Sequence, residues 1–279
     1  MYLDPDQNNQ RVRQNILNAG IYAQLQTKLF TGFELMAGLR LDNATYFNKG
    51  NFSQLVYDEL GLRTDNGLST FQIQPRVQIT WDFNDKHTDI LRIGGGIFAS
   101  DLNNYAMINN MVFDGTKVMS VDIKNTEEEP DIVPTPDFIG YRKDPSTAPG
   151  IDLLNNPKYA DKAVPTINMN SKDAKVPVVY KANISYTHFF SDRLKMSVSG
   201  YMTLGRNNYM YIDRNMVDDP YFRLSAEGNR GIYVPASTIG KDGTLDWMEG
   251  RKSTKVGRVL ELVSEGKVCL LYTSPSPRD

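Results

Sequence analysis

Side chains that alternate in character with period two confine this chain to one kind of element. A strand is the regular element whose successive side chains point to opposite faces. Asn18–Leu29 sets Ile21, Ala23, Leu25, Thr27 and Leu29 against Tyr22, Gln24, Gln26 and Lys28. Phe33–Asp42 sets Phe33, Leu35, Ala37, Leu39 and Leu41 against Glu34, Met36, Gly38, Arg40 and Asp42. In Phe71–Phe83, Ile73, Val77, Ile79, Trp81 and Phe83 oppose Gln72, Gln74, Arg76, Gln78, Thr80 and Asp82. The pattern recurs in Ile90–Ser100, Val178–Phe190 and Leu194–Leu204, and starts again more weakly in Lys255–Val263. The first six segments run ten residues or more, against roughly 5–6 for an average strand. About 9–11 tilted residues cross the hydrocarbon core of a bilayer. No segment reads as an amphipathic helix, so the expectation is an all-β chain. Pro75 is the misfit, because it cannot donate to a ladder. Either pairing begins after it or a bulge lies there.

The connections alternate as well. Phe30–Gly32, Asn84–Asp89 and Ser191–Arg193 are short; Phe47–Thr70, Asp101–Pro177 and roughly Asn207–Thr254 are long. Loops beyond about 12–15 residues are uncommon in compact domains. An outer-membrane barrel has them by construction, with short turns at one rim and long loops at the other. The expected architecture is therefore a partial antiparallel transmembrane β-barrel of about six to seven strands. A soluble β-sandwich would need short loops at both ends and shorter strands.

Composition removes other classes. Lys and Arg total 31 against 33 Asp and Glu, with no basic block, so no nucleic-acid partner is expected. One cysteine excludes an internal disulfide framework. The chain has two histidines, His87 and His188, and neither HExxH nor G-x-S-x-G, so no catalytic or metal role is expected. Gly94–Ala99 formally fits G-x-G-x-x-A, but its alternation continues where a dinucleotide site would open a helix. Asp4–Asn8 mimics the start of a calcium loop, yet Asn9 and Asn15 stand where Gly and Glu are required. The run Asp122, Glu127, Glu128, Glu129 and Asp131 reads as a solvated acidic stretch. Tyr105, Tyr141, Tyr159, Tyr209, Tyr211, Tyr221 and Tyr233 read as an aromatic girdle or as loop packing. No enzyme and no cofactor are expected.

Three stretches carry a resemblance. GIYAQLQTKLFTGFELMAGLRLDNATYF (Gly20–Phe47) and FQIQPRVQITWDFNDKHTDILRIGGGIFASDLNNYAMINN (Phe71–Asn110) resemble successive hairpins of TonB-dependent outer-membrane receptors. The subfamily is the one with a carboxypeptidase-regulatory-like N-terminal domain, common in Bacteroidetes. RKSTKVGRVLELVSEGKV (Arg251–Val268) resembles one of its later strands. The resemblance implies a middle piece, residues 1–268, of a barrel that closes with 22 strands around a plug. It also implies active uptake of a scarce nutrient such as a siderophore, peptide or glycan. The implied partners are outer-membrane lipid, the receptor's own plug domain, the TonB–ExbB–ExbD energising complex and a surface lipoprotein cap. The TonB box, plug and terminal-strand signature have no counterpart in the sequence. Residues 269–279, CLLYTSPSPRD, read as a translated sequencing adapter, with a Pro/Ser-rich tail as the plain alternative. The adapter reading would leave Cys269 outside the protein and Met1 as an internal methionine. A passive porin would share the strands and loops but lack the plug.

From alternation, Ile21, Leu25, Leu35, Leu39, Val77, Ile79, Trp81, Leu91, Ile93, Ile184 and Val198 are expected to face lipid. Gln24, Glu34, Arg40, Asp42, Gln74, Arg76, Gln78 and Arg92 are expected to face the lumen or plug, with Lys195 and Ser197. A slip of one residue would exchange the two sets. The transported ligand and the loop that binds it are not specified by the residues.

Overall fold

The computed structural model describes residues 2–3, 12–100, 104–121, 130, 139–143 and 163–278. Its strands are β1 (Tyr2–Leu3), β2 (Ile16–Phe30), β3 (Phe33–Tyr46), β4 (Leu68–Asp82), β5 (Asp89–Ala99), β6 (Asp114–Val121), β7 (Ala163–Asn170), β8 (Val178–Phe189), β9 (Lys195–Asp213), β10 (Phe222–Leu224), β11 (Arg230–Ile232) and β12 (Val259–Arg278). Among the described residues three α-helices, α1 (Gln54–Leu60), α2 (Asn104–Val112) and α3 (Gly140–Lys143), interrupt the long connections. Ten strands form one sheet in the order β1-β6-β7-β12-β9-β8-β5-β4-β3-β2. Every neighbouring pair in it is antiparallel except β7 and β12, which run parallel.

Each of the seven expected segments is a strand, and together they form one antiparallel meander. Two expectations need correction. The chain is mostly β rather than all-β, because the long connections fold into short helices. The sheet has ten strands rather than six or seven, because β1, β6 and β7 extend it beyond β12. It is an open sheet with edges at β1 and β2, and no closed barrel forms among the described residues.

The short turns follow from local chemistry. Gly32 takes φ +78°, and a Cβ there would stand 2.3 Å from the Asp82 carbonyl oxygen, so the β2–β3 turn requires glycine. Asn84 Oδ1 accepts from the Lys86 amide at 3.2 Å and shapes the β4–β5 turn. Pro75 is accommodated by ending one ladder. β3 pairs along all of β4, with Leu39 opposite Pro75, whereas β5 begins pairing at Arg76. Beyond that point Gln74 takes over, its Oε1 accepting from the Ala99 amide at 3.0 Å. Residues 269–278 continue β12 opposite β9, from Cys269 at Leu204 to Arg278 at Lys195. Over this stretch β12 has no second neighbour among the described residues, so Pro275 and Pro277 lie on an edge there, where a missing donor is tolerated.

The apolar cores lie at the long-loop rim, away from the sheet's middle. Ala44, Tyr46, Leu68, Met107, Val176 and Leu262 form one cluster that joins β3 and β4 to β12 through α2. Val56, Ile167, Met169, Val256 and Val259 form the second, in which α1 packs on β7 and β12. Ser53 caps α1 by accepting from the Val56 amide, and Gly61 ends it in the left-handed region. Asn215 is fully buried: its Nδ2 donates to the carbonyls of Ser253, Val256 and Gly257, and its Oδ1 accepts from the Ser253 amide. The connections at residues 47–67 and 214–258 thus share a packed rim with the inner parts of residues 100–177.

Candidate functional site: two unlike faces of one wall

Strand register decides which side chains share a face. One transverse row runs Gln24, Gly38, Arg76, Gly96, Lys181 across β2, β3, β4, β5 and β8. The next runs Gln26, Met36, Gln78, Gly94, Asn183, and a third Lys28, Glu34, Thr80, Arg92, Ser185. Arg40 lies opposite Gln74, and Asp42 opposite Gln72. All eight candidate residues therefore stand on one face. The other face carries rows such as Leu25, Ala37, Val77, Gly95, Ala182 and Thr27, Leu35, Ile79, Ile93, Ile184.

Burial is inverted relative to a protein folded around an oily centre. On β4 the polar face is covered towards its two ends, with Thr70 at 7 %, Gln74 at 4 % and Asp82 at 6 % exposure, while Arg76 and Gln78 between them are open. The apolar face of the same strand is open, with Phe71 at 59 %, Ile73 at 56 % and Val77 at 46 %. Ile21, Leu25, Leu39, Trp81, Ile93, Ile184 and Val198 are exposed likewise. The apolar surface has defined limits. At the short-turn rim it ends in aromatic rings: Phe30 stacks on Phe33 at 4.7 Å, Phe33 meets Trp81 at 6.1 Å, and Trp81 meets Phe83 at 4.7 Å. Phe83 then stacks on Tyr186 at 6.2 Å, and His188 meets Phe190 at 4.5 Å. At the other rim the same face turns polar, where the Thr45 hydroxyl bonds Asn43 and Ser69 at 3.0 Å each. From Phe71 to Phe83 is twelve steps, about 41 Å along a strand at ~3.4 Å per residue. Tilted by ~40°, that covers about 30 Å of depth, against an apolar band of about 25 Å on outer-membrane barrels.

On the polar face, Arg40, Asp42, Gln74 and Arg76 line one cavity of about 460 Å³. Arg40 holds Asp42 through two hydrogen bonds, at 2.7 and 2.9 Å, and Gln74 Nε2 donates to the same carboxylate at 2.5 Å. Gln24, Arg76 and Gln78 line a second hollow of about 330 Å³, together with Gly38, Gly94, Phe98, Lys181 and Asn183. Glu34 and Arg92 enter neither hollow; Glu34 accepts from Gln26 Nε2 instead. Phe98, Lys181 and Asn183 were missed by sequence reasoning. Counting alternate positions through β5 and β8 would have found them, since each falls on the face opposite Ile93 and Ile184.

A third cleft, about 1000 Å³, opens among the loops between Glu59, Arg63, Lys172, Lys175, Arg214 and Glu261. Arg214 Nε pairs with Glu261 there at 2.5 Å. Glu59 ties α1 to the last long connection, accepting from Lys255 Nζ at 2.6 Å and from the Ser253 hydroxyl at 2.8 Å. These two donors hold its carboxyl below the ordinary carboxylate range.

Both histidines sit at the short-turn rim beside aspartates. His87 Nδ1 lies 2.6 Å from Asp82 Oδ2, and His188 Nδ1 lies 2.6 Å from Asp89 Oδ1. Gly94–Ala99 is strand throughout. Of the tyrosines named from sequence, Tyr105, Tyr209, Tyr211 and Tyr221 are exposed, and the Tyr211 hydroxyl reaches Asn110 at 3.3 Å. The aromatic band is instead built mainly from Phe30, Phe33, Trp81, Phe83 and Tyr186. Asp4–Asn8, the acidic run at 122–131, Tyr159 and the side chain of Tyr141 lie outside the described residues. Among the described residues, no three His, Cys, Asp or Glu converge as metal ligands. No protein family matches the chain, and no curated protein does either.

Proposed function

We propose that this chain is wall and external loops of an outer-membrane transport barrel that takes up a nutrient actively. The observation that carries the reading is the inverted sheet. Its open apolar face, bounded by aromatic rings at one rim and hydroxyls at the other, is what a lipid-facing band requires. The polar face, with Arg40, Asp42, Gln74, Arg76 and their neighbours, then faces a lumen or a plug. In hydrocarbon every backbone group must be paired within the protein. The free edges of β2 and the end of β12 would pair with further strands of the same barrel.

The resemblance of Gly20–Phe47 and Phe71–Asn110 to TonB-dependent receptors supports the energised reading, with plug, TonB–ExbB–ExbD complex and siderophore, peptide or glycan cargo. The long-loop rim adds support against a passive porin. Met107 and Val176 pack on Tyr46, Leu68 and Leu262 across the polar face, which in a closed barrel would put chain where an open pore is wet.

Two measurements test this. Nitroxides placed singly at residues 76–79 should report oxygen access at Val77 and Ile79, and access of a water-soluble nickel chelate at Arg76 and Gln78. The reverse parity would overturn the lipid-facing assignment. Uptake by a strain carrying the gene should stop when TonB is deleted or the proton gradient collapses. Uptake at full rate without TonB would make the protein a passive porin.

A further inference from the structure

We propose that the hollow over Gly94 on the polar face, between Arg76 and Lys181, is a binding site for a small oxyanion, a carboxylate or phosphate carried by a solute. The inference rests on the reading above in requiring that the polar face meet water.

Two cations define the site. Arg76 and Lys181 stand on either side of Gly96 in one transverse row. Strands two apart lie roughly 10 Å from each other, and both side chains lean over the ring between them. The Arg76 guanidinium is 4.5 Å from the Phe98 ring centre, and the Lys181 ammonium 5.5 Å. Among the described residues neither meets a carboxylate. Arg40, by contrast, is fully engaged with Asp42. A cation held on an aromatic face keeps its outward N–H groups available, and a guanidinium presents them as a planar fork suited to carboxylate or phosphate.

The floor of the site is missing by design of the sequence. Gly38 and Gly96 flank Arg76 on both neighbouring strands, and Gly94 lies beside them. A Cβ on Gly96 would stand 3.0 Å from Arg76 Cγ and from the Pro75 carbonyl oxygen; one on Gly94 would stand 2.6 Å from Asn183 Oδ1. Glycine there lets Arg76 and Asn183 lie flat and keeps open a hollow of about 330 Å³. Gln24, Gln78 and Asn183 around it are uncharged amides, each with an NH2 group that can donate to an anion. Charge, shape and donor chemistry thus agree on one occupant.

The test uses the 279-residue chain refolded in detergent, with inorganic phosphate, succinate and neutral succinamide as probes. Isothermal titration should show saturable binding of phosphate and succinate, weakened by salt, and none of succinamide. Arg76→Gln and Lys181→Gln should each weaken binding about tenfold, as expected for losing a charge-assisted hydrogen bond. Gly96→Val should abolish it with both cations present, while Lys49→Gln, a loop lysine beside Asp65, should leave it unchanged. Circular dichroism and the nickel-chelate access of residue 78 are read on every variant. Water access at residue 78 without anion binding would overturn the site and leave the barrel reading standing. Loss of that water access in the parent chain would overturn both, and equal binding of succinamide would overturn the site.

Discussion

Glu59 is a single residue whose position carries a pH dependence. It joins α1 to residues 253 and 255 through an ion pair and a hydroxyl. Its folded pKa is lowered from an ordinary 4.5, chiefly by the Lys255 hydrogen bond and then by Ser253. A lowered carboxyl contributes stability that is present above the ordinary value and lost as pH falls through the folded one. Lys255 is raised from 10.5, again chiefly by its bond to Glu59, so its share is lost only as pH rises beyond that value. Between these limits the tie holds. Nitroxides at Tyr57 and Thr254 should give a narrow distance distribution at pH 6 that broadens as pH falls well below 4.5. Glu59→Gln should remove that acid transition; a transition unchanged in the variant would assign it to another group. None of this was legible in the sequence, because Glu59 and Lys255 are separated by 196 positions and the weak alternation that starts at Lys255 says nothing of so distant a partner.

Among elements, the seven strands of the meander were legible, whereas the helices and the short strands β1, β6, β7, β10 and β11 were not. A strand facing two media writes its period directly into the sequence, as in Phe71–Phe83. Helix α1 is seven residues long and buries only Val56; α2 buries Ala106, Met107, Asn110 and Met111, so a polar residue interrupts its covered face. Asn110 is there because Nδ2 donates to Asn170 Oδ1 at 2.7 Å, a contact across 60 positions. Residues 104–121 and 163–177 thus belong to the packed rim. Val121 pairs with Ala163 where β6 and β7 meet. Replacing residues 122–162 by Asn-Gly should close that hairpin and keep the thermal midpoint within a few degrees. Removing all of 101–177 also deletes Met107, Ile167 and Met169, each exposed by 1 % or less. At about 2–5 kcal/mol for each truncated core side chain, the rim should unfold. Differential scanning calorimetry of the two deletions in detergent separates the cases. A short-loop variant as unstable as the full deletion would contradict the division.

For the whole molecule, the face pattern came from sequence, while the extent of the sheet did not. Parity alone assigned the eight polar-face residues to one side. The parallel β7–β12 pair depends on residues 167–170 meeting 259–262, which no local pattern announces. The exposed apolar wall leads to a substitution test. Val77→Arg should cost about 2–4 kcal/mol in a bilayer, the penalty for a cation near the midplane of a barrel's lipid face. In a protein whose odd face met water, the change would be nearly neutral. Urea unfolding in lipid vesicles, against Gln78→Arg on the opposite face, decides between them. The wall is also clamped at one end only. Tyr46 and Leu68 are joined to Leu262 through α2 at the long-loop rim, whereas the opposite rim holds its strands with turns of a few residues. Mechanically this is a cantilever. A pull at the short-turn end acts on hairpins joined by turns and shears ladder bonds in parallel, while the bracing core at the far end acts as the fixed support. Stiffness should therefore rise steadily along each strand toward the loops.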